Sequence, residues 1–214
     1  MSFAVHSIPG SPYGRAVLAA LEEKRAPYRL QPLAPGGHKA PAHLARHPFG
    51  RIPAFEHDDF QLYETQAILR YIDRVAPGVS LTPSDPGAAA RMDQAMNVND
   101  WYLFPGVAAV IVFERVIGPR LLGKAPDETA IAAAMPKARV VFDELARLLG
   151  DAPWFAGETF SLADLMIAPQ FDLFRLTPEW ASLASPALAA YLDRAEARPS
   201  FAATTWSAVA KMAA

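Results

Sequence analysis

Pro48-Phe49-Gly50-Arg51-Ile52-Pro53-Ala54-Phe55-Glu56, then His57-Asp58-Asp59, then Phe60-Gln61-Leu62-Tyr63-Glu64-Thr65 is the most informative run in this sequence. It reads as a short strand, a polar turn and a second short strand. The turn residues, with Phe60 and Leu62 alternating against Gln61 and Tyr63, predict a hairpin. Behind it Ala67, Ile68, Tyr71, Ile72 and Val75 recur at helical spacing, with Thr65 as the N-cap. Pro53, at the entrance to the first strand, removes a ladder donor. A cis Ile52-Pro53 bond in a tight turn reconciles the two and leaves the Ile52 backbone free to pair with a ligand. Glu64 immediately precedes a helix N-terminus, where unpaired N–H groups favour a bound carboxylate. Taken singly, these features are better read as an ordinary turn proline and an ordinary helix cap.

Upstream, Phe3 to Ile8 reads as a buried strand closed by Pro9-Gly10. Ser11-Pro12 has the form of a helix start, serine at the N-cap and proline at the first position, with Val17, Leu18 and Leu21 on the apolar face. That helix ends near Lys24-Arg25. Tyr28 to Leu33 is a second strand, and Pro35-Gly36-Gly37-His38-Lys39-Ala40-Pro41 a loop before a short, weak helix around His43 to Arg46. Strand, helix, strand, then hairpin and helix describe a small α/β unit.

Downstream, Ala76 to Gly87 is dense in proline and glycine, and the linker is placed at 81–87. Beyond it strand signals cease. A helix is expected from Ala88 to about Val116, bent at Pro105. A second runs from Asp127 to Leu149, kinked or interrupted at Pro136. Ser161-Leu162-Ala163-Asp164 is an aspartate version of the capping box, opening an apolar, buried helix. Shorter helices are expected at Pro186–Glu196 and Pro199–Lys211. The predicted domains are therefore 1–80, α/β, and 88–214, all-helical.

The 214 residues carry 20 Lys/Arg against 22 Asp/Glu, so nucleic-acid binding has no electrostatic support. Nine of those cations and all five histidines fall in residues 1–80, against seven acids, so an anionic ligand would prefer that part. Without a cysteine the chain has no disulfide, zinc ribbon or cysteine nucleophile; any thiol must arrive with a substrate. No apolar run is read as long enough to span a bilayer and no leader pattern opens the chain, so the expected location is cytoplasmic. His43 and His47, four apart, could share a metal. With no Cys, no His-Glu-x-x-His pattern and no obvious third ligand, they read as solvated helix histidines, and no metal is expected.

Taken together, Pro48 to Glu56 and Tyr63-Glu64-Thr65-Gln66-Ala67-Ile68 resemble the glutathione-binding half of the glutathione S-transferase family, in particular its plant-type phi class and bacterial relatives. Gly157 to Asp164 and Arg198-Pro199-Ser200-Phe201 resemble its helical half. The resemblance implies a thioredoxin-like domain followed by an all-helical domain. It also implies glutathione as a co-substrate with no tightly bound cofactor, and a homodimer.

The implied reaction is attack of the glutathione thiolate on an electrophilic, partly apolar small molecule. A free thiol with a pKa near 8.5 is mostly protonated at neutral pH, so a hydroxyl donor beside a helix N-terminus would activate it. Ser11 meets those terms, with Tyr13 as its rival and Arg15 as an orienting or electropositive residue. Residue by residue, the resemblance carries His38 and Lys39 over to the glycine carboxylate and Ile52, beside cis Pro53, to the cysteinyl backbone. It carries Glu64 to the γ-glutamyl ammonium and Thr65 to its carboxylate. Arg51 stands where the phi pattern has Gln, which alters that contact or strengthens it towards a carboxylate. Tyr13, Tyr102 and Phe104 are carried over as electrophile contacts, although Trp101-Tyr102-Leu103-Phe104-Pro105 equally describes core. Glutathione-dependent isomerisation, dehalogenation or peroxide reduction fits the same scaffold, as does a non-catalytic binding protein.

Overall fold

The computed structural model describes residues 2–34 and 36–213; Met1, Ala214 and the loop residue Pro35 lie outside them. The chain divides into two compact units, Met1–Thr82 with Glu196–Ala214, and Pro83–Ala195. The first therefore includes a C-terminal segment that the sequence reading placed with the helical domain.

In the first unit four strands, β1 (Phe3–Ser7), β2 (Tyr28–Pro32), β3 (Ala54–His57) and β4 (Phe60–Tyr63), lie in the order β2-β1-β3-β4. β1 pairs parallel with β2 and antiparallel with β3, and β3 pairs antiparallel with β4 through the predicted turn. The parallel β1–β2 pair needs a crossover, supplied by α1 (Pro12–Glu23). A short α2 (Pro41–Leu44) and then α3 (Thr65–Val75) complete the α/β part. The side of α1 that carries Val17, Leu18 and Leu21 is fully buried, as are Ile68, Leu69 and Ile72 of α3.

The second unit is helical. Its first tract runs through α4 (Pro86–Val98), α5 (Ala109–Val112) and α6 (Gly118–Leu122), joined by wider helical turns. The predicted bend is there: Pro105 leaves helical geometry at ψ 120° and Gly106 follows at φ 75°. By length and composition Pro86–Leu122 could cross a membrane, contrary to the reading of the sequence. The break at Pro105-Gly106 and the burial of Met92, Met96, Leu103, Val107 and Ile111 inside this unit give it the character of a core helix. α7 (Glu128–Leu149) stays helical through Pro136, where a kink or interruption was expected. Ile131, Ala134, Ala138 and Val141 are buried on either side of the proline and hold the helix in place despite its missing donor.

α8 (Leu162–Arg175) is buried almost throughout, and its capping box forms: Asp164 accepts from the Ser161 N–H at 2.8 Å, the Ser161 hydroxyl at 3.0 Å and the Phe155 N–H at 3.1 Å. α9 (Trp180–Leu183) and α10 (Pro186–Glu196) follow. The single helix expected at Pro199–Lys211 is instead α11 (Pro199–Ala203) and α12 (Trp206–Met212). Thr205 breaks it, because its hydroxyl caps a new helix by accepting from the Ala208 N–H.

α11 is fastened to α1. Arg198 grips Glu23 with two bonds of 2.7 Å, and the Ser200 hydroxyl donates to the same carboxylate. Arg15 donates to the Phe201 carbonyl at 3.1 Å and stacks over its ring. Burial pushes the Glu23 carboxyl up, but the Arg198 and Ser200 bonds outweigh it and hold it below the usual carboxylate range. Such a group stabilises the fold above its unfolded pKa and loses that contribution as pH falls through its folded value. Glu23→Gln should therefore cost about 1–3 kcal/mol near neutrality, with the gap to the wild type closing below about pH 4. Urea unfolding across pH checks this, and a gap that persists in acid contradicts it.

Candidate functional site

The start of α1 organises the site. Ser11 sits at the N-cap with extended backbone (φ −70°, ψ 118°), its Oγ accepting from the Gly14 N–H at 3.0 Å. Pro12 takes the first helical position, where no donor is lost. An Oγ that accepts there still carries its own hydrogen for donation, at the positive end of a 12-residue helix. Gly14 is required by contact: a Cβ on it would stand 2.0 Å from the Ser7 Oγ. Ser7 is a buried hydroxyl beside the Ser11 turn that the sequence reading passed over, since within β1 it reads only as strand. Tyr13 is half-buried on the first turn of α1. Arg15 is buried and committed to the Phe201 carbonyl and ring, which makes it a brace for this turn.

The second group surrounds the turn before β3. The Ile52-Pro53 bond is cis, Pro53 is buried, Ile52 is half-buried and Arg51 exposed. The sheet register begins at Ala54, so Arg51 and Ile52 stand outside the ladder. His38 and Lys39 lie on a short helical turn, Gly37–Lys39, half-buried and exposed respectively. Lys39 reaches this turn: a Cβ on Gly50 would stand 3.0 Å from its Nζ. The basic pair and the Gly50-Arg51-Ile52 backbone are thereby neighbours.

The third group is Glu64-Thr65. α3 begins at Thr65, so the cap position belongs to Glu64 and not to Thr65 as the sequence was read. Glu64 holds φ 69° and ψ 114°, a region that residues with a Cβ rarely occupy, and its side chain does not cap the helix. It is exposed, while Thr65 is buried. A strained, exposed carboxylate beside unspent helix N–H groups is an arrangement suited to an incoming zwitterion.

His43 and His47, read as solvated, are each 2% exposed. His43 Nε2 lies 2.7 Å from the Arg51 carbonyl, while the His47 ring packs against Tyr63 at 4.8 Å and edge-on to Phe49. They are buried because the Phe49–Pro53 turn folds back over α2, a tertiary contact that a four-residue spacing does not reveal. Burial lowers the His47 imidazole below the usual histidine range, against the opposing pull of Glu64. Among the described residues no group of three or more His, Asp or Glu is placed to hold a metal. In the second unit Tyr102 is exposed and Phe104 half-buried, within the wide turns between α4 and α5.

Residues 5–80 match the family described as "Glutathione S-transferase, N-terminal domain", and residues 128–194 "Glutathione S-transferase, C-terminal domain". A glutathione S-transferase of Hyoscyamus muticus is 35% identical over 176 residues, 80% of this chain and 82% of the relative. A probable glutathione S-transferase of Oryza sativa subsp. japonica is 33% identical over 186 residues, 86% of each. Among solved structures, glutathione transferase F7 from Populus trichocarpa superposes with a TM-score of 0.84 at 32% identity, covering 94% of this chain and 97% of that one.

The Glu64 backbone yields a direct test of strain. At this φ a side chain is penalised and glycine is not, so Glu64→Gly should be more stable than Glu64→Ala by about 1–2 kcal/mol. Thermal or urea unfolding of the two variants measures the difference. Equal stabilities would show that the position carries no strain.

Proposed function

The chain belongs to the glutathione S-transferase family, and from that premise we propose that the groups around Ser11, Gly50–Pro53 and Glu64-Thr65 together hold glutathione as its co-substrate. It is a glutathione transferase, joining the glutathione sulfur to an electrophilic small molecule, here proposed to be partly apolar. No tightly bound cofactor is needed for that reaction. The proposed setting is cytoplasmic and the proposed assembly a homodimer, with domains at 1–80 and 88–214 around a linker at 81–87.

One observation carries the assignment of the donor: the Ser11 Oγ already accepts from Gly14 N–H at 3.0 Å. Its hydrogen is then available to the glutathione sulfur, and the positive end of α1 adds to the same effect. Both favour thiolate over thiol, and each unit by which the thiol pKa falls is about 1.4 kcal/mol of that preference. The thiolate attacks the electrophilic carbon as the leaving group departs or the π bond opens, and the thiol proton passes to solvent.

Around that sulfur the tripeptide is proposed to bind as a short strand. The Ile52 backbone, free of the β3 ladder, pairs with the cysteinyl unit. Glu64 takes the γ-glutamyl ammonium and Thr65, with its helix N-terminus, the adjoining carboxylate. His38 and Lys39 take the glycine carboxylate, and the exposed Arg51 adds positive charge where relatives of the phi type use a neutral amide.

Ser11→Ala should lower the conjugation rate at least tenfold while glutathione affinity changes much less, because the lost bond acts on the thiolate. Steady-state kinetics with a panel of aryl halides, enals, organic halides and peroxides measures this and ranks substrate classes. Tyr13→Phe should leave the rate near wild type. The reverse pattern would assign the donor to Tyr13, and a protein that fails to bind millimolar glutathione would overturn the site.

A further inference from the structure

His43 is buried at the foot of the Gly50–Pro53 turn, yet its polar bonding is one-sided. Nε2 lies 2.7 Å from the Arg51 carbonyl oxygen. A carbonyl only accepts, so Nε2 carries the hydrogen. Nδ1 is buried without a hydrogen-bond partner among the described residues. A buried ring nitrogen left unpaired costs stability, and a phenylalanine would fill much the same space without that cost. What the imidazole supplies beyond an apolar ring is its bond to Arg51.

That bond acts at a telling place. Arg51 and Ile52 precede the sheet register at Ala54, so the ladder does not fix their backbone. Two other bonds secure the segment. The Gly50 N–H donates to the His47 carbonyl at 2.8 Å, and the His47 N–H donates to the His43 carbonyl at 2.8 Å. The turn thus hangs from the end of α2, and His43 holds it at the peptide unit that joins Arg51 to Ile52. We infer that His43 is a positioning residue, fixing the Ile52 backbone for a peptide-like ligand by donating from Nε2 to the Arg51 carbonyl. The inference rests on the reading of Ile52 as the backbone partner of glutathione. It places His43 on the affinity for glutathione and not on activation of its sulfur, which belongs to Ser11.

The test compares wild type with His43→Phe, which keeps an aromatic ring and removes the donor, and His43→Gln, whose amide can still donate. Glutathione binding is measured by calorimetry, turnover by steady-state kinetics and folding by circular dichroism. His43→Phe should weaken glutathione binding about three- to tenfold, the scale of one net hydrogen bond. KM for glutathione should rise with it, while kcat and its pH profile stay at wild-type values. His43→Gln should recover most of the affinity. Wild-type affinity in His43→Phe, an equal loss in His43→Gln, or a fall in kcat in place of affinity would each overturn the inference. If wild type does not bind glutathione, the site reading falls and this inference with it. If wild type and His43→Phe bind equally, only the inference falls. Should His43→Phe not fold, nitrogen-15 histidine NMR of the wild type decides. The His43 Nε2–H resonance should move as glutathione saturates, and an unmoved resonance would overturn the role.

Discussion

The hydrogen bond from the Gly14 N–H to the Ser11 Oγ is the constraint on which the site depends. It starts α1, and α1 is the crossover that makes β1 and β2 parallel neighbours. It also fixes the serine rotamer, because an oxygen committed to a backbone donor on one side presents its own hydrogen on the other. An N-cap of this kind contributes roughly 1 kcal/mol to stability. The same atom that begins the helix is the one proposed to donate to the glutathione sulfur, with the structural and proposed chemical roles on different parts of one hydroxyl.

That turn is braced from far along the chain. The Arg198 and Ser200 bonds to Glu23 hold one end of α1, and Arg15 ties its first turn to the Phe201 carbonyl. The Trp206 ring lies against Gly10, where a Cβ would stand 2.6 Å from it, one residue before the N-cap. Gly10 and Gly14 are thus both places where a side chain cannot fit, on either side of Ser11. This explains why Glu196–Ala214 groups with the α/β unit although the elements it contributes, α11 and α12, are helices.

Much of this was legible because the signals are local. The Ser-Pro helix start, the strand and turn pattern through Phe60–Tyr63, and the Ser161/Asp164 box each depend on a few adjacent residues, and each formed. What escaped depends on residues far apart. His43 and His47 read as solvated because α2 is short and their spacing lacks a metal pattern; only the turn folding back over it buries them. The cap of α3 moved from Thr65 to Glu64 because the chain leaves β4 with Glu64 at positive φ, which no propensity for glutamate anticipates. The break between α11 and α12 was available from Thr205 as a capping residue, which a single helix over Pro199–Lys211 leaves unused. Ser7 could not be singled out, since a buried serine in a strand becomes notable only when Gly14 is packed against it.

In the proposed function, Ser11 and the start of α1 make the bound glutathione sulfur a thiolate near neutral pH. The ultraviolet absorbance of the thiolate, titrated against pH in the enzyme–glutathione complex, measures this directly. The bound thiol should titrate at least about one unit below the free value near 8.5, and Ser11→Ala should return it most of the way. A bound thiol that titrates like free glutathione, or a lowered pKa that survives Ser11→Ala unchanged, would contradict it.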